Sequence, residues 1–165
     1  MSGAKRRSFE GGHRPKFLVV VDGSAESMRA VHFAARRVAR TGASLTLLGV
    51  VSITETFEFL GVGDAMREEA EEETTRLLAA ATDHAKEAAS VVPEQVVKEG
   101  EKAECIRELI EQDQDISFLV LAASTDSAGP GPLVSGIASS SQSYPIPIVI
   151  VPGDLTDDEI DALAG

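Results

Sequence analysis

The chain has no tryptophan, one tyrosine and one cysteine, and aromatic residues make up only 4% of it. Its core must therefore be assembled from Val, Leu, Ile and Ala, which a hydrophobic content of 43% supplies. The lone Cys105 excludes an internal disulfide and fits a reducing, cytoplasmic compartment. It sits beside Ile106 in an apolar pattern at helical spacing, so it reads as a buried structural thiol; a nucleophile would need an electropositive setting. Basic residues are also scarce: 15 Lys and Arg face 27 Asp and Glu, for a formal charge of −12. Nucleic acid is not an expected partner, because phosphate binding requires clustered Lys and Arg. The acidity reads as solubility and self-repulsion. No stretch approaches the roughly 20 apolar residues of a membrane span, so no membrane partner is expected.

Familiar catalytic patterns are missing too. His13, His32 and His84 are too scattered along the chain to propose a metal site or a triad, and no metal is expected. Gly61-x-Gly63 and Gly129-x-Gly131 lack the third glycine of a dinucleotide loop, with Met66 and Val134 in its place. There is no P-loop, and Ser135 is not in a Gly-x-Ser-x-Gly elbow. No nucleophile is assembled with a base, which points away from an enzyme.

What is present is a strong alternation of apolar runs and helical patterns. Residues 1–15 include Lys5, Arg6, Arg7 and Arg14 but no apolar core before a cleavage site; they are expected to form a flexible arm rather than a secretory signal. Phe17-Leu18-Val19-Val20-Val21 is a continuous apolar run suited to a strand buried on both faces. It stops at Asp22-Gly23-Ser24, with Ser24 expected to N-cap a helix carrying Met28, Val31, Ala35 and Val38 and ending at Gly42. A strand over 44–51 is followed by a loop with an apolar patch, Phe57-Glu58-Phe59-Leu60, and a long helix over about 65–89. That helix carries an acidic, solvated first half with an expected Glu72–Arg76 pair. A third strand is expected at 95–98, a helix around Cys105, Ile106, Leu109 and Ile110, and a fourth strand at 118–122. The Gly/Pro/Ser-rich stretch 124–144 is expected to hold one short helix over 134–141 before a fifth strand, Pro147-Ile148-Val149-Ile150-Val151. In the tail, Thr156 and Glu159 fit a capping box and Leu155 with Ile160 a hydrophobic staple, predicting a helix over 157–163.

Apolar strands separated by helices predict an α/β fold: a doubly wound, Rossmann-like parallel sheet of five strands covered on both faces, within a single domain. With right-handed crossovers and strand order 3-2-1-4-5, a crevice opens between strands one and four at their carboxyl ends. Asp22 and the turn 122–125 would line it. Asp22 has two readings at this point, as a ligand contact and as a carboxylate that organises the strand-to-helix turn.

The order and spacing of Lys16-Phe17-Leu18-Val19-Val20-Val21-Asp22-Gly23-Ser24, the strand 44–51, Glu99-Gly100 before a helix, Phe118-Leu119-Val120-Leu121-Ala122 and the fifth strand resemble the universal stress protein family. The resemblance implies a universal stress protein domain over 16–153, a short C-terminal helix and tail over 154–165, a flavodoxin-like fold, a cytoplasmic homodimer made under stress and, in one branch, ATP binding, with Mg as its companion ion. By that analogy Asp22 contacts the adenine end and Val50 offers backbone atoms to the base, with Ser24 also counted among the nucleotide-binding residues. The phosphates would be held by Gly-x-x-Gly followed further on by Gly-Ser or Gly-Thr. Here Ala122 and Thr125 stand at the first two glycine positions, and Ser135-Gly136 is followed by Ile137. Side chains there obstruct the close approach of amides to phosphate, and Pro130 and Pro132 remove two donors. Ser124, Thr125 and Ser135 keep hydroxyl donors. The expected function is a non-catalytic, homodimeric stress-response domain whose crevice takes ATP or another adenine nucleotide. The alternative is an interaction protein without a nucleotide, acting through dimer and partner contacts. The dimer is expected to form along the exposed edge of the fifth strand.

Overall fold

The computed structural model describes residues 5–52 and 63–165. The strands β1 (Lys16–Val21), β2 (Ser44–Val51), β3 (Glu94–Glu99), β4 (Ile116–Ala123) and β5 (Ile148–Pro152) form one parallel sheet in the order β3-β2-β1-β4-β5. The helices are α1 (Ser27–Thr41), α2 (Gly63–Ala89), α3 (Lys102–Gln112), α4 (Pro132–Ser139) and α5 (Asp157–Ala164). The winding reverses between β1 and β4, as the alternation of apolar strands and helices predicts.

β1 shows why its run from Phe17 to Val21 is apolar. Phe17, Val19 and Val21 point to a core shared with Val31 and Ala34 of α1, Leu78 and Ala81 of α2, and Ile160 of α5. Leu18 and Val20 point the other way, to a second core with Ile106 and Ile110 of α3 and Ile137 of α4. Period-two alternation thus feeds two buried faces, and a polar residue on either would lose its water without a partner. Gly42 ends α1 in the left-handed region at φ 76°, its N–H donating to Val38 at 2.9 Å.

Several local expectations shift. Ser24 does not cap α1, because the helix starts only at Ser27: the N-cap is Glu26, whose side chain makes no capping bond, and the Ser24 hydroxyl donates to Asp22. The short helix runs over Pro132–Ser139, not 134–141, since the fixed φ of Pro132 suits a first helical position; a 3₁₀ turn, Ser141–Ser143, follows. Arg76 reaches back to Glu73 at 2.6 Å rather than to Glu72. The apolar patch at 57–60 lies outside the described residues.

The described part of the N-terminal arm is hydrogen-bonded to the rest of the fold. Arg7 donates its N–H to Gln114 at 2.9 Å, and Arg6 donates to the carbonyls of Ile110 at 2.8 Å and Ile116 at 3.1 Å. Ser8 is buried, with its hydroxyl 2.7 Å from that of Ser117. The C-terminal end of α3 leaves carbonyls without helical partners, and Arg6 satisfies one of them; a basic segment with no apolar pattern carries no sequence signal for such a role.

At the other end, α5 begins with the predicted capping box: Thr156 Oγ1 accepts from the Glu159 N–H at 3.2 Å, and the Glu159 carboxylate accepts from Thr156. Arg37 binds its last turn, donating to the Ala164 carbonyl at 3.1 Å.

Candidate functional site

At the carboxyl ends of β1 and β4 lies a cleft of about 590 Å³. That volume falls within the range of small-molecule sites, and the place is where a doubly wound sheet parts its loops. Asp22 ends the first wall. Its Oδ1 accepts from the Ser24 N–H at 2.8 Å and from the Ser24 hydroxyl, while Ser27 Oγ donates to the carbonyls of Asp22 and Ser24, each at 3.1 Å. The turn-organising reading of Asp22 is therefore realised in the structure, and the Ser24 hydroxyl is engaged by it. Asp22 Oδ2 still faces the Lys102 ammonium at 4.0 Å.

Lys102 reaches the cleft because α3 begins there. Glu101 caps that helix, accepting from the amides of Ala103 at 3.1 Å and Glu104 at 2.9 Å. Those amide bonds hold its carboxyl below the usual range. The thiol of Cys105, one turn on, moves the other way: burial and the nearby Glu108 carboxylate push it up, so it stays protonated and poorly reactive.

The opposite wall is the turn after β4. Ser124 donates its N–H to Pro130 at 3.0 Å and accepts from the Asp126 N–H at 3.1 Å. Asp126 in turn takes the Ala128 amide on its carboxylate at 3.2 Å and the Gly129 amide on its carbonyl at 3.0 Å. A phosphate loop leaves such amides pointing at the ligand; here four are consumed within the turn. The first turn of α4 closes the cleft, with Leu133, Val134 and Ser135 along it. Pro132 has no N–H, so the amides of Leu133 and Val134 are the donors this helix start can present.

Of the eight residues expected around a nucleotide, Asp22, Ser24, Ala122, Ser124 and Ser135 line this cleft. Gly136 lines an adjoining groove with Glu101 and Lys102. Val50 packs against the second core. Thr125 turns toward Gly153, where there is no space: a Cβ on Gly153 would meet the Ala123 carbonyl oxygen at 2.5 Å and Glu26 Cβ at 2.8 Å. Glu26, Lys102 and Asp126 were not anticipated. Asp126 was readable, since an Asp directly after Ser-Thr in a Gly/Pro-rich turn tends to bind its own backbone. The lining thus carries three carboxylates (Asp22, Glu26, Asp126) and one ammonium (Lys102) among the described residues.

The structure also brings together two histidines that the sequence sets far apart. His32 Nδ1 lies 2.9 Å from His84 Nε2, and His32 Nε2 lies 2.7 Å from Asp161. The expectation of scattered histidines is corrected here because α1 and α2 pack side by side. His13 stands apart, 2.7 Å from Asp115.

Fold and cleft together define a doubly wound α/β domain with a cleft at its strand reversal. Comparison narrows that class. The universal stress protein family model matches residues 13–152, and the chain belongs to that family. The chain is similar to the universal stress protein UspA from Lactobacillus plantarum, at 18% identity and a TM-score of 0.68 over 83% of this chain and 97% of that one. It is also similar to a universal stress protein solved in complex with cAMP, at 23% identity and a TM-score of 0.63, covering 83% and 96% of the two chains. A third similar structure is the universal stress protein from Archaeoglobus fulgidus in complex with dAMP, at 15% identity and a TM-score of 0.60, again covering 83% and 96%. No curated protein matches the chain significantly by sequence. Among the described residues, no helix is long and apolar enough to cross a membrane.

Proposed function

We propose that the chain is a stress-response binding module whose cleft takes an adenine nucleotide carrying a single phosphate in preference to ATP. The observation that carries this reading is the charge and donor balance of the cleft. Val20, Leu121 and Val134 offer an apolar bed for a purine. The carboxylates of Asp22 and Glu26 can accept from ribose hydroxyls or the adenine amino group. Among the described residues, a phosphate would meet Lys102, the serine hydroxyls and the first amides of α4. One phosphate can be matched by that set; three, beside Asp126, would add repulsion the cleft does not offset. Similar proteins solved with cAMP and dAMP lend support to a low-charge adenine ligand.

Isothermal titration with AMP, cAMP and ATP, the last with and without magnesium, tests it. The expected result is saturable binding of AMP or cAMP at least tenfold tighter than ATP in either condition. Tighter binding of ATP with magnesium would restore the triphosphate reading, and no heat with any nucleotide would favour an interaction protein without a ligand.

The reading includes a cytoplasmic homodimer formed along β5. β5 is an edge strand whose Ile150 is 41% exposed, and beside it Val149, Phe9, Phe33 and Phe118 line an apolar groove. Val149 itself packs against the first core, so Ile150 is the side chain to change. Ile150→Lys is expected to shift sedimentation from dimer to monomer; a parent protein that sediments as a monomer would rule the interface out.

A further inference from the structure

We propose that His32, His84 and Asp157 form a zinc-binding site that clamps the C-terminal helix to α1 and α2. The three come from different helices: His32 from α1, His84 from α2 and Asp157 from the first turn of α5. His32 Nδ1, His84 Nε2 and an Asp157 carboxylate oxygen all lie within 4.8 Å of one another.

Two features distinguish this arrangement from a plain hydrogen-bonded pair. First, Asp157 Oδ1 lies 3.6 Å from His32 Nδ1. That is too long for a hydrogen bond but close to the roughly 3.4 Å between two ligands of a tetrahedral zinc with bonds of about 2.0–2.1 Å. The 2.9 Å between the two imidazole nitrogens would open by about 0.5 Å on the same geometry. Second, the far nitrogen of His32 is already held: Nε2 donates to Asp161 at 2.7 Å, and Asp161 is fixed by Arg36 Nε at 3.2 Å. A carboxylate behind an imidazole fixes its tautomer with the lone pair on the other nitrogen, and here that lone pair faces His84 and Asp157.

The surroundings allow an ion to arrive and stay. His32 is buried, whereas Asp157 is exposed, so the site opens to solvent on its carboxylate side. Arg29 binds Asp157 and also donates to the Leu155 carbonyl at 3.4 Å. It shares Oδ1, the oxygen that faces His32, through one lone pair and leaves the other lone pair to a metal. Three protein ligands leave a fourth position for water. The site is separate from the strand-end cleft, so it stands or falls independently of the nucleotide.

The test uses the full chain stripped with EDTA and titrated with zinc ions alone against a colorimetric chelator, with cobalt as a spectroscopic stand-in. One zinc per chain, a raised Tm and the visible d–d bands of four-coordinate cobalt are expected. Asp161→Asn should weaken zinc binding by about 10–100-fold, and His84→Ala by at least as much. His13→Ala, which removes the remaining histidine and no carboxylate, should bind as the parent does. His84→Ala keeps every carboxylate, so equal zinc binding by this variant would show adventitious binding to the acidic surface and overturn the site. A parent with no zinc binding at micromolar concentrations would overturn it too. Should His84→Ala fail to fold, His84→Gln, which also keeps every carboxylate, carries the same test, with weakened binding and lost cobalt bands expected.

Discussion

At the ends of β1 and β4 the cleft is made of backbone turns, each tied down by its own short polar side chains. On the α1 face, by contrast, the histidine cluster is made of side chains that converge from three helices. Asp22, Ser24 and Ser27 bind one another within a few residues, and Ser124, Asp126 and Gly129 do the same. His32, His84 and Asp161 meet across sequence separations of 52 and 129. A site of the first kind changes its chemistry whenever a turn residue changes, and this chain has used that freedom to trade loop amides for carboxylates. A site of the second kind depends on helix packing, and fails when a helix loosens.

That contrast predicts separable damage. The largest effect is expected from Gly153→Ala, whose Cβ would strike the Ala123 carbonyl and Glu26. Overpacking against backbone should cost about 1–3 kcal/mol, read from chemical denaturation. It should weaken nucleotide binding by displacing the rim of β4 while zinc binding stays as in the parent. Next is Thr156→Ala, which removes the capping oxygen from the first turn of α5. A loss of about 1 kcal/mol is expected. Here the pattern should invert, with weaker zinc binding and unchanged nucleotide affinity. If either variant damages both sites equally, the contrast between them is broken.

A smaller change sharpens the charge argument. Asp126→Asn removes one carboxylate from the cleft and should improve ATP binding by about 1 kcal/mol, roughly fivefold in Kd, with a lesser gain for AMP. Equal gains for both would place the repulsion elsewhere. The smallest effect concerns Glu101. Its folded carboxyl titrates below the usual range because two amides bind its ionised form. The native state therefore sheds that proton more readily than the unfolded chain does. The resulting stability is present above the unfolded value and is lost as pH falls through the folded one. Glu101→Gln should thus melt slightly lower than the parent at neutral pH, with the gap closing in acid as the folded carboxylate takes up its proton. A gap that persists in acid would mean the cap acts through shape rather than charge.

The legible part of this protein is the part with short-range causes. Continuous apolar runs name the strands, the left-handed glycine at position 42 ends α1, and Thr156 with Glu159 starts α5 within a residue of its predicted place. The cleft followed from the order of elements, and Asp22, Ser24, Ala122 and Ser124 could be named because they lie at or just after strand ends, whereas Ser135, on α4, came from the family resemblance. Ser24 was misassigned because α1 starts only at Ser27, so the Ser24 hydroxyl lies outside the N-cap position and donates to the Asp22 carboxylate of its own turn.

By itself, then, the sequence determined which segments are strands and helices, and hence a parallel sheet with a notch at its reversal. Those choices rest on periodicity and on turn chemistry within a few residues. Tertiary structure alone decided where Arg6 and Ser8 would be anchored, that Lys102 would be the cation facing Asp22, and that His32, His84 and Asp157 would share one small volume. Helices that pack side by side can bring any two positions of the chain into contact, and no spacing rule along the chain records which two.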